Sequence, residues 1–278
     1  MCTARRDASG RGARRREETT SLSHVIERYE FKYLVPERMV PAIRAAALTT
    51  SRIDAYAGAD GTYRIRSLYL DTSRFDLYWA NEREQPDRFK VRVRSYPGKQ
   101  GPVFLEVKRR AKDVILKTRG PLPTFAWQDA VRGRTAPLDG LPAGARAAVE
   151  RFLLVVARHH LRPVALVEYE REAYVSEVDS YARLTFDRKI TVQQHEALDL
   201  EASPGRWRPV DHPAQTLTAE PVCVLELKFE RRPPAWMAAM VRRLDLVRRS
   251  FSKYCYGVNA ELTLPERRAA RLAWGEPA

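Results

Sequence analysis

The sequence predicts an α+β fold in which an antiparallel sheet curls into a β-barrel with helices packed on its outside. Three observations carry this. Eight short runs alternate apolar and polar residues with the period of a strand, and four other segments have helical spacing. The polar strand positions are also overwhelmingly cationic.

In chain order, residues 1–24 hold six arginines, three acids and no hydrophobic period, and are expected to be a disordered basic tail. That tail accounts for +3 of the net charge of +14, so the larger part belongs to the folded region. Strands are expected at 27–35, 62–70, 88–96, 102–110, 113–119, 164–175, 182–192 and 222–230. Helices are expected at 37–48, 124–132, 142–159 and 234–249. The last opens after Pro233-Pro234 and carries an apolar stripe of Met237, Met240, Leu244, Val247 and Phe251 for packing on the sheet. Residues 263–278 are expected to form a helical extension or tail.

Alternation assigns the strand faces. Tyr29, Phe31 and Tyr33 oppose Arg28, Glu30 and Lys32; Phe89, Val91 and Val93 oppose Lys90, Arg92 and Arg94. Leu105 and Val107 oppose Glu106, Lys108 and Arg110, while Lys117 and Arg119 fall together. Leu184 and Phe186 oppose Arg183, Thr185 and Asp187; Leu225, Leu227 and Phe229 oppose Glu226 and Lys228. A solvated sheet face mixes the signs of its charges, because like charges in a row repel. Here cations dominate strand after strand, each set with a lone carboxylate, as expected if an anion is to sit among them. Closing the sheet with the cations inside would focus positive potential in a tunnel.

The excess of base points to an anionic partner: nucleic acid, an acidic membrane surface or a phosphorylated small molecule. A nucleic-acid binder would carry an external basic stripe, whereas these cations alternate with apolar positions, so no nucleic acid is expected. Cys2, Cys223 and Cys255 show no CxxC pairing and read as free thiols in a reducing compartment. The longest apolar run, 152–157, is too short to span a bilayer, and the N-terminus lacks an apolar signal core, so a cytoplasmic protein is expected. No GxxxxGK[ST] or GxGxxG motif is present. His159-His160 lack metal-site spacing and read as structural, and Tyr69, Tyr96 and Tyr169 read as packing residues before base-stacking ones.

The runs RYEFKYLV (28–35), SLYLDT (67–72), KVRVRSY (90–96), FLEVKRR (104–110), YEREAY (169–174), RLTFDR (183–188), LELKFE (225–230) and SFSKYCYG (250–257) resemble, in order, the motifs of the VTC polyphosphate-polymerase domain. That family belongs with the CYTH proteins among the triphosphate tunnel metalloenzymes. The resemblance covers roughly 25–260 and makes 25–262 the tunnel domain. It implies an antiparallel eight-stranded tunnel, Mn²⁺ or Mg²⁺ as cofactor, and transfer of the γ-phosphate of ATP onto growing polyphosphate. It also implies roles. Lys32, Arg92, Arg94, Lys108, Arg171, Arg183 and Lys253 match the tunnel cations that act on the phosphates, and Glu226 matches the metal ligand. Lys90, Arg110, Lys117, Arg119, Lys228 and Ser252 would bind the rest of the polyanion. CYTH-type enzymes open on ExExK; Arg28 stands at the first glutamate and fits the VTC pattern instead. Eukaryotic VTC chains carry membrane and SPX regions; neither is read in this sequence, so coupling to translocation is not implied, and a membrane partner stays open. A triphosphatase and a non-catalytic polyphosphate- or nucleic-acid-binding module stay open as alternatives.

Overall fold

The computed structural model describes residues 28–111, 114–134, 138 and 140–262, with the backbone alone for Arg28, Val114 and Leu262. The two expected tails and Cys2 lie outside the described residues. The elements are β1 (Arg28–Pro36), α1 (Val40–Leu48), β2 (Ser51–Ile53), β3 (Thr62–Asp71), α2 (Asp76–Glu82), β4 (Asp87–Ser95), β5 (Val103–Ala111), β6 (Val114–Leu122), α3 (Trp127–Val131), α4 (Ala143–Arg158), β7 (Arg162–Ser176), β8 (Ala182–Gln194), β9 (Arg208–Pro209), α5 (Pro213–Thr216), β10 (Val222–Glu230), α6 (Ala235–Arg243) and α7 (Lys253–Leu262). All eight expected strands are present, their ends within three residues of those expected. No helix among the described residues is long and apolar enough to cross a membrane.

The eight long strands run in the order β1-β10-β8-β7-β3-β4-β5-β6, every neighbouring pair antiparallel; β2 adds to β7 and β9 to β8. The expected barrel is therefore curled but not closed by backbone hydrogen bonds, because β1 and β6 form the two ends of the path. An ion pair reaches across instead: Lys108 Nζ on β5 lies 3.2 Å from Glu30 Oε1 on β1.

The outward strand faces are apolar, and helices cover them. Val91, Val93, Leu105 and Val107 pack with Trp127 of α3 and Val149 and Phe152 of α4. Leu184, Phe186, Leu225 and Leu227 pack with Ile43 of α1 and with Met237 and Met240 of α6. Full burial of each such side chain stabilises the fold by roughly 1.5–3 kcal/mol. Gly120 on β6 allows α4 to approach closely, since a Cβ there would stand 2.7 Å from the Val149 backbone nitrogen.

Two helical expectations need correction. The helix expected over 234–249 ends at Arg243, and Asp245 adopts a left-handed φ of 47° that no regular helix accepts. Only the first part of its stripe therefore packs as one face: Val247 is exposed, and Phe251 joins a different cluster inside the sheet. The helix expected at 124–132 contracts to α3. Three further helices, α2, the short α5 and α7, are not predicted. In α7 a glycine and three aromatic or β-branched residues among the first six weaken intrinsic propensity. Tertiary contact decides instead: Tyr254, Cys255 and Val258 bury against Ile190 and Val192, the apolar inward half of β8. A Cβ on Gly257 would lie 3.0 Å from Val192 Cγ2, so glycine lets the helix seat there. The helix thus fills the end of the sheet's concave side where the inward residues turn apolar, and leaves the polar part open.

Candidate active site

That polar part is a cavity of about 640 Å³. Every residue the sequence nominates lines it except Arg110, which lines an adjoining cavity of about 360 Å³. The two share Glu30, Lys32, Lys90 and Lys108 along their common wall. Eleven lysines and arginines line the main cavity against three carboxylates, Glu30, Asp54 and Glu226. The smaller cavity adds Arg88, Arg248 and Arg249, which sequence reading did not single out.

Strand register stacks the charges in rungs. Lys90, Lys108 and Lys117 stand directly opposite one another on β4, β5 and β6. Like charges so placed destabilise a sheet. Loss of hydration and the surrounding cations push Lys90 and Lys108 down to about 8 and Lys117 to about 7. On the next rung, Glu106 sits between Arg92 and Arg119. Its carboxylate is buried and receives Arg92 Nε at 2.7 Å, with Lys117 at 3.2 Å and Arg94 and Arg119 at 3.5 Å. Burial pushes its pKa up, but Arg92, Arg94 and Lys117 more than reverse that and hold it well below the usual carboxylate range. Glu106 therefore aligns the guanidinium groups.

The opposite wall is fully paired. Arg171 forks onto Asp187 at 2.6 and 2.7 Å, and Lys253 Nζ lies 2.5 Å from the same carboxylate. Glu226 is ringed by Lys228 at 2.7 Å and by Lys32, Arg171 and Lys253, each at 3.3 Å. Burial opposes its charge, and those four cations keep it ionised, well below the ordinary value. For Lys253 the balance runs upward: Asp187 and Glu226 overcome burial and raise its pKa. Asp187 and Glu30 are the partners that sequence reading missed as site residues, although alternation had placed both on the inward face. Arg183 stands at the rim, 4.0 Å from Asp54. Ser252 lines both cavities while its Oγ accepts the Cys255 backbone N–H at 3.2 Å, capping α7.

A strut from outside the lumen fixes part of this array. Asp71, the acid of the SLYLDT run, is fully buried and accepts the backbone N–H groups of Thr72, Leu77 and Tyr78 at 2.7–2.9 Å, plus the Tyr254 hydroxyl. Tyr254 stacks on Tyr69 at 4.9 Å, and Arg92 donates to the Tyr69 hydroxyl at 2.9 Å. Asp71 thereby ties α2 and α7 to β3 and positions both Arg92 and the neighbouring Lys253. Tyr69 and Tyr169 are buried, as expected of packing residues, whereas Tyr96 lies at the cavity rim. Cys223 and Cys255 are buried free thiols. His159 packs its ring on Phe89 at 5.1 Å.

An inwardly cationic, outwardly helix-clad sheet of this kind defines a protein built to hold a polyanion in a tunnel. A family model for the VTC domain matches residues 27–262. The chain belongs to the VTC domain family, and thereby to the triphosphate-tunnel enzymes. No curated protein matches the sequence. Solved structures with a similar fold include a protein of Bacillus halodurans described as a candidate adenylate cyclase, with 13% identity and a TM-score of 0.45 over 82% of this chain and 94% of that one. A candidate adenylyl cyclase from Hippeastrum, described as having a dominant triphosphatase activity, has 13% identity and a TM-score of 0.44 over 91% and 98% of the two chains. A third, from Vibrio parahaemolyticus, has 9% identity and a TM-score of 0.42 over 83% and 97%.

Proposed function

We propose that the protein is a polyphosphate polymerase that transfers the γ-phosphate of ATP onto a growing inorganic chain inside the tunnel. The observation that carries this reading is the continuation of the main cavity into a second one lined by Arg88, Arg110, Arg248 and Arg249. A single triphosphate brings far fewer negative charges than the two cavities together present cations. A hydrolase that gripped its products so widely would turn over slowly.

Phosphoryl transfer asks the protein chiefly for position and charge. Arg92, Arg94 and Arg171 are held in fixed orientations by Glu106 and Asp187, ready to take phosphate oxygens in a forked grip. Lys32, Lys108 and Lys253 act as point charges around the transferred group, and Lys90, Lys117, Arg119, Lys228 and Arg183 extend the track. The oxygen of the chain's terminal phosphate forms a bond to the γ-phosphorus while the bond to the β–γ bridging oxygen breaks, releasing ADP. No protein nucleophile and no proton transfer are needed.

Among the described residues no group of three or more His, Cys, Asp or Glu comes together to hold a metal. Glu226, one of three carboxylates lining the main cavity, is a single hard-oxygen ligand of the kind that suits Mg²⁺ or Mn²⁺ arriving with phosphates that supply most of the coordination. When bound, such an ion would screen the phosphate oxygens during transfer. The test is the phosphorus NMR profile after incubation with ATP and Mn²⁺. Internal-chain phosphate signals growing with ADP are expected. Orthophosphate rising in step with ADP would point to a triphosphatase, and no turnover with tight polyphosphate binding to a sensor or scaffold.

A further inference from the structure

We propose that the rim formed by Tyr63, Tyr96 and Asp54 is a nucleoside subsite, which takes the base and sugar of a nucleoside triphosphate whose phosphates enter the cationic lumen. The proposal rests on the polymerase reading and adds where the non-phosphate half of the donor sits. Tyr63 begins β3 and Tyr96 follows β4, two antiparallel neighbours, so both rings emerge at the same end of the lumen. Their centroids are 6.1 Å apart at 48°, too close to sandwich a base; Lys99 Nζ lies 5.6 Å from the Tyr63 centroid, and both tyrosines line the cavity. Tyr96 is braced from behind, edge-on to Phe104 at 6.0 Å and accepting Arg119 at 3.0 Å through its hydroxyl.

The other rings of the lumen are engaged: Tyr29 stacks on Phe229 with centroids 5.8 Å apart, and the Arg183 guanidinium lies 6.0 Å from the centroid of Tyr181. The rings of Tyr69 and Tyr169 are buried, the first stacked on Tyr254 and the second covered by Arg171 and Lys253. The far cavity is lined by guanidinium groups, with Phe251 its one aromatic ring. An inorganic phosphate chain has no planar apolar face to bury against a tyrosine. A ligand with a flat head and a phosphate tail does, and aromatic stacking accepts any base.

Asp54 supports the same reading. A carboxylate at the mouth of a phosphate tunnel repels phosphate, and its nearest cation, Arg183, is 4.0 Å away, beyond hydrogen-bonding distance. Asp54 Oδ1 accepts the Tyr56 backbone N–H at 2.9 Å, and its Oδ2 is suited to accept a hydrogen bond from a ribose hydroxyl or a base amino group.

The experiment measures the affinities of ATP and of inorganic tripolyphosphate for wild type, Tyr63→Leu, Tyr96→Leu and Tyr63→Phe. Leucine keeps apolar bulk but removes the stacking face; phenylalanine restores it. The leucine variants should lose roughly tenfold or more in ATP affinity. Tripolyphosphate affinity should hold, which also certifies the fold, and Tyr63→Phe should bind ATP like wild type. Unchanged ATP affinity, or equal losses for both ligands, overturns the subsite. Wild type that binds tripolyphosphate but not ATP overturns it while leaving the polyanion tunnel standing. If neither ligand binds, the polymerase reading and the subsite fall together.

Discussion

On the β4–β6 wall of the lumen, seven inward cations from Lys90 to Arg119 have one inward carboxylate of their own, Glu106, with Lys108 also reaching Glu30; on the wall of β1, β7, β8, β10 and α7, four cations, Lys32, Arg171, Lys228 and Lys253, share Glu30, Asp187 and Glu226. The titration of the lysines differs in part accordingly. Lys90, Lys108 and Lys117 are pushed down to about 7 to 8 and Lys253 is raised by the carboxylates it touches, while burial pushes Lys32, beside Lys108 at the seam between the walls, well down despite Glu226. The second wall is thus a framework whose charges are largely balanced within the fold. The β4–β6 wall carries the larger excess of positive charge, and it is where we place the polyanion.

Breaking the framework wall should have the largest effect. Asp187→Asn leaves Arg171 and Lys253 buried without their shared carboxylate, and should lower stability by roughly 3–5 kcal/mol in denaturant unfolding. Lys90→Met or Lys117→Met should leave the ligand-free midpoint unchanged or raise it, because each removes a repulsion. A Lys117→Met protein as damaged as Asp187→Asn would erase the distinction between the walls.

Lys108→Ala removes the middle of the lysine rung. A charge-assisted contact is worth roughly 1.5–3 kcal/mol, so tripolyphosphate affinity should fall about ten- to a hundredfold in a protein that remains folded. Unchanged affinity by calorimetry would place the anion elsewhere. Glu226→Gln sharpens the comparison from the other side. It removes the proposed metal ligand, so Mn²⁺-dependent turnover should drop at least about tenfold. Metal-free phosphate binding should hold or tighten, since a negative charge leaves a cationic lumen; equal activity at limiting Mn²⁺ would move the metal to Glu30 or Glu106.

The smallest effect is a dependence on pH. The rung lysines titrate at about 7 to 8 in the folded protein and near ~10.4 when unfolded. Between pH ~7 and ~10 the unfolded chain binds more protons, so ligand-free stability should rise with pH across that window. Bound phosphate favours the protonated lysines, so binding should take up protons near pH 8 and weaken as pH rises further. Calorimetry in two buffers of different ionisation heat reads the uptake directly; proton release would contradict the assignment.

Much of this was legible in the sequence because strands encode their own faces. KVRVRS and LEVKRR alternate so regularly that Lys90, Arg92 and Lys108 could only share one side, and the structure turns that side inward. The pairings between distant strands were not legible. That Lys90, Lys108 and Lys117 form one rung follows from β4–β5–β6 register, and that Asp187 serves both Arg171 and Lys253 requires β7, β8 and α7 to meet. Helix α7 was hidden because SKYCYGV is a poor helix former on its own, made helical by the apolar half of β8. The end of α6 was hidden because the break at Asp245 has no glycine or proline to announce it.

The central claim is that the β4–β6 wall and the cavity beyond it hold a chain longer than a triphosphate. The most direct measurement is the affinity of inorganic phosphate chains of increasing length at fixed salt concentration. Affinity should keep rising beyond tripolyphosphate until the chain reaches Arg88, Arg110, Arg248 and Arg249, and in an Arg110→Ala, Arg249→Ala double variant the rise should stop earlier. An affinity that levels off at three phosphates, the same in wild type and variant, would contradict the account.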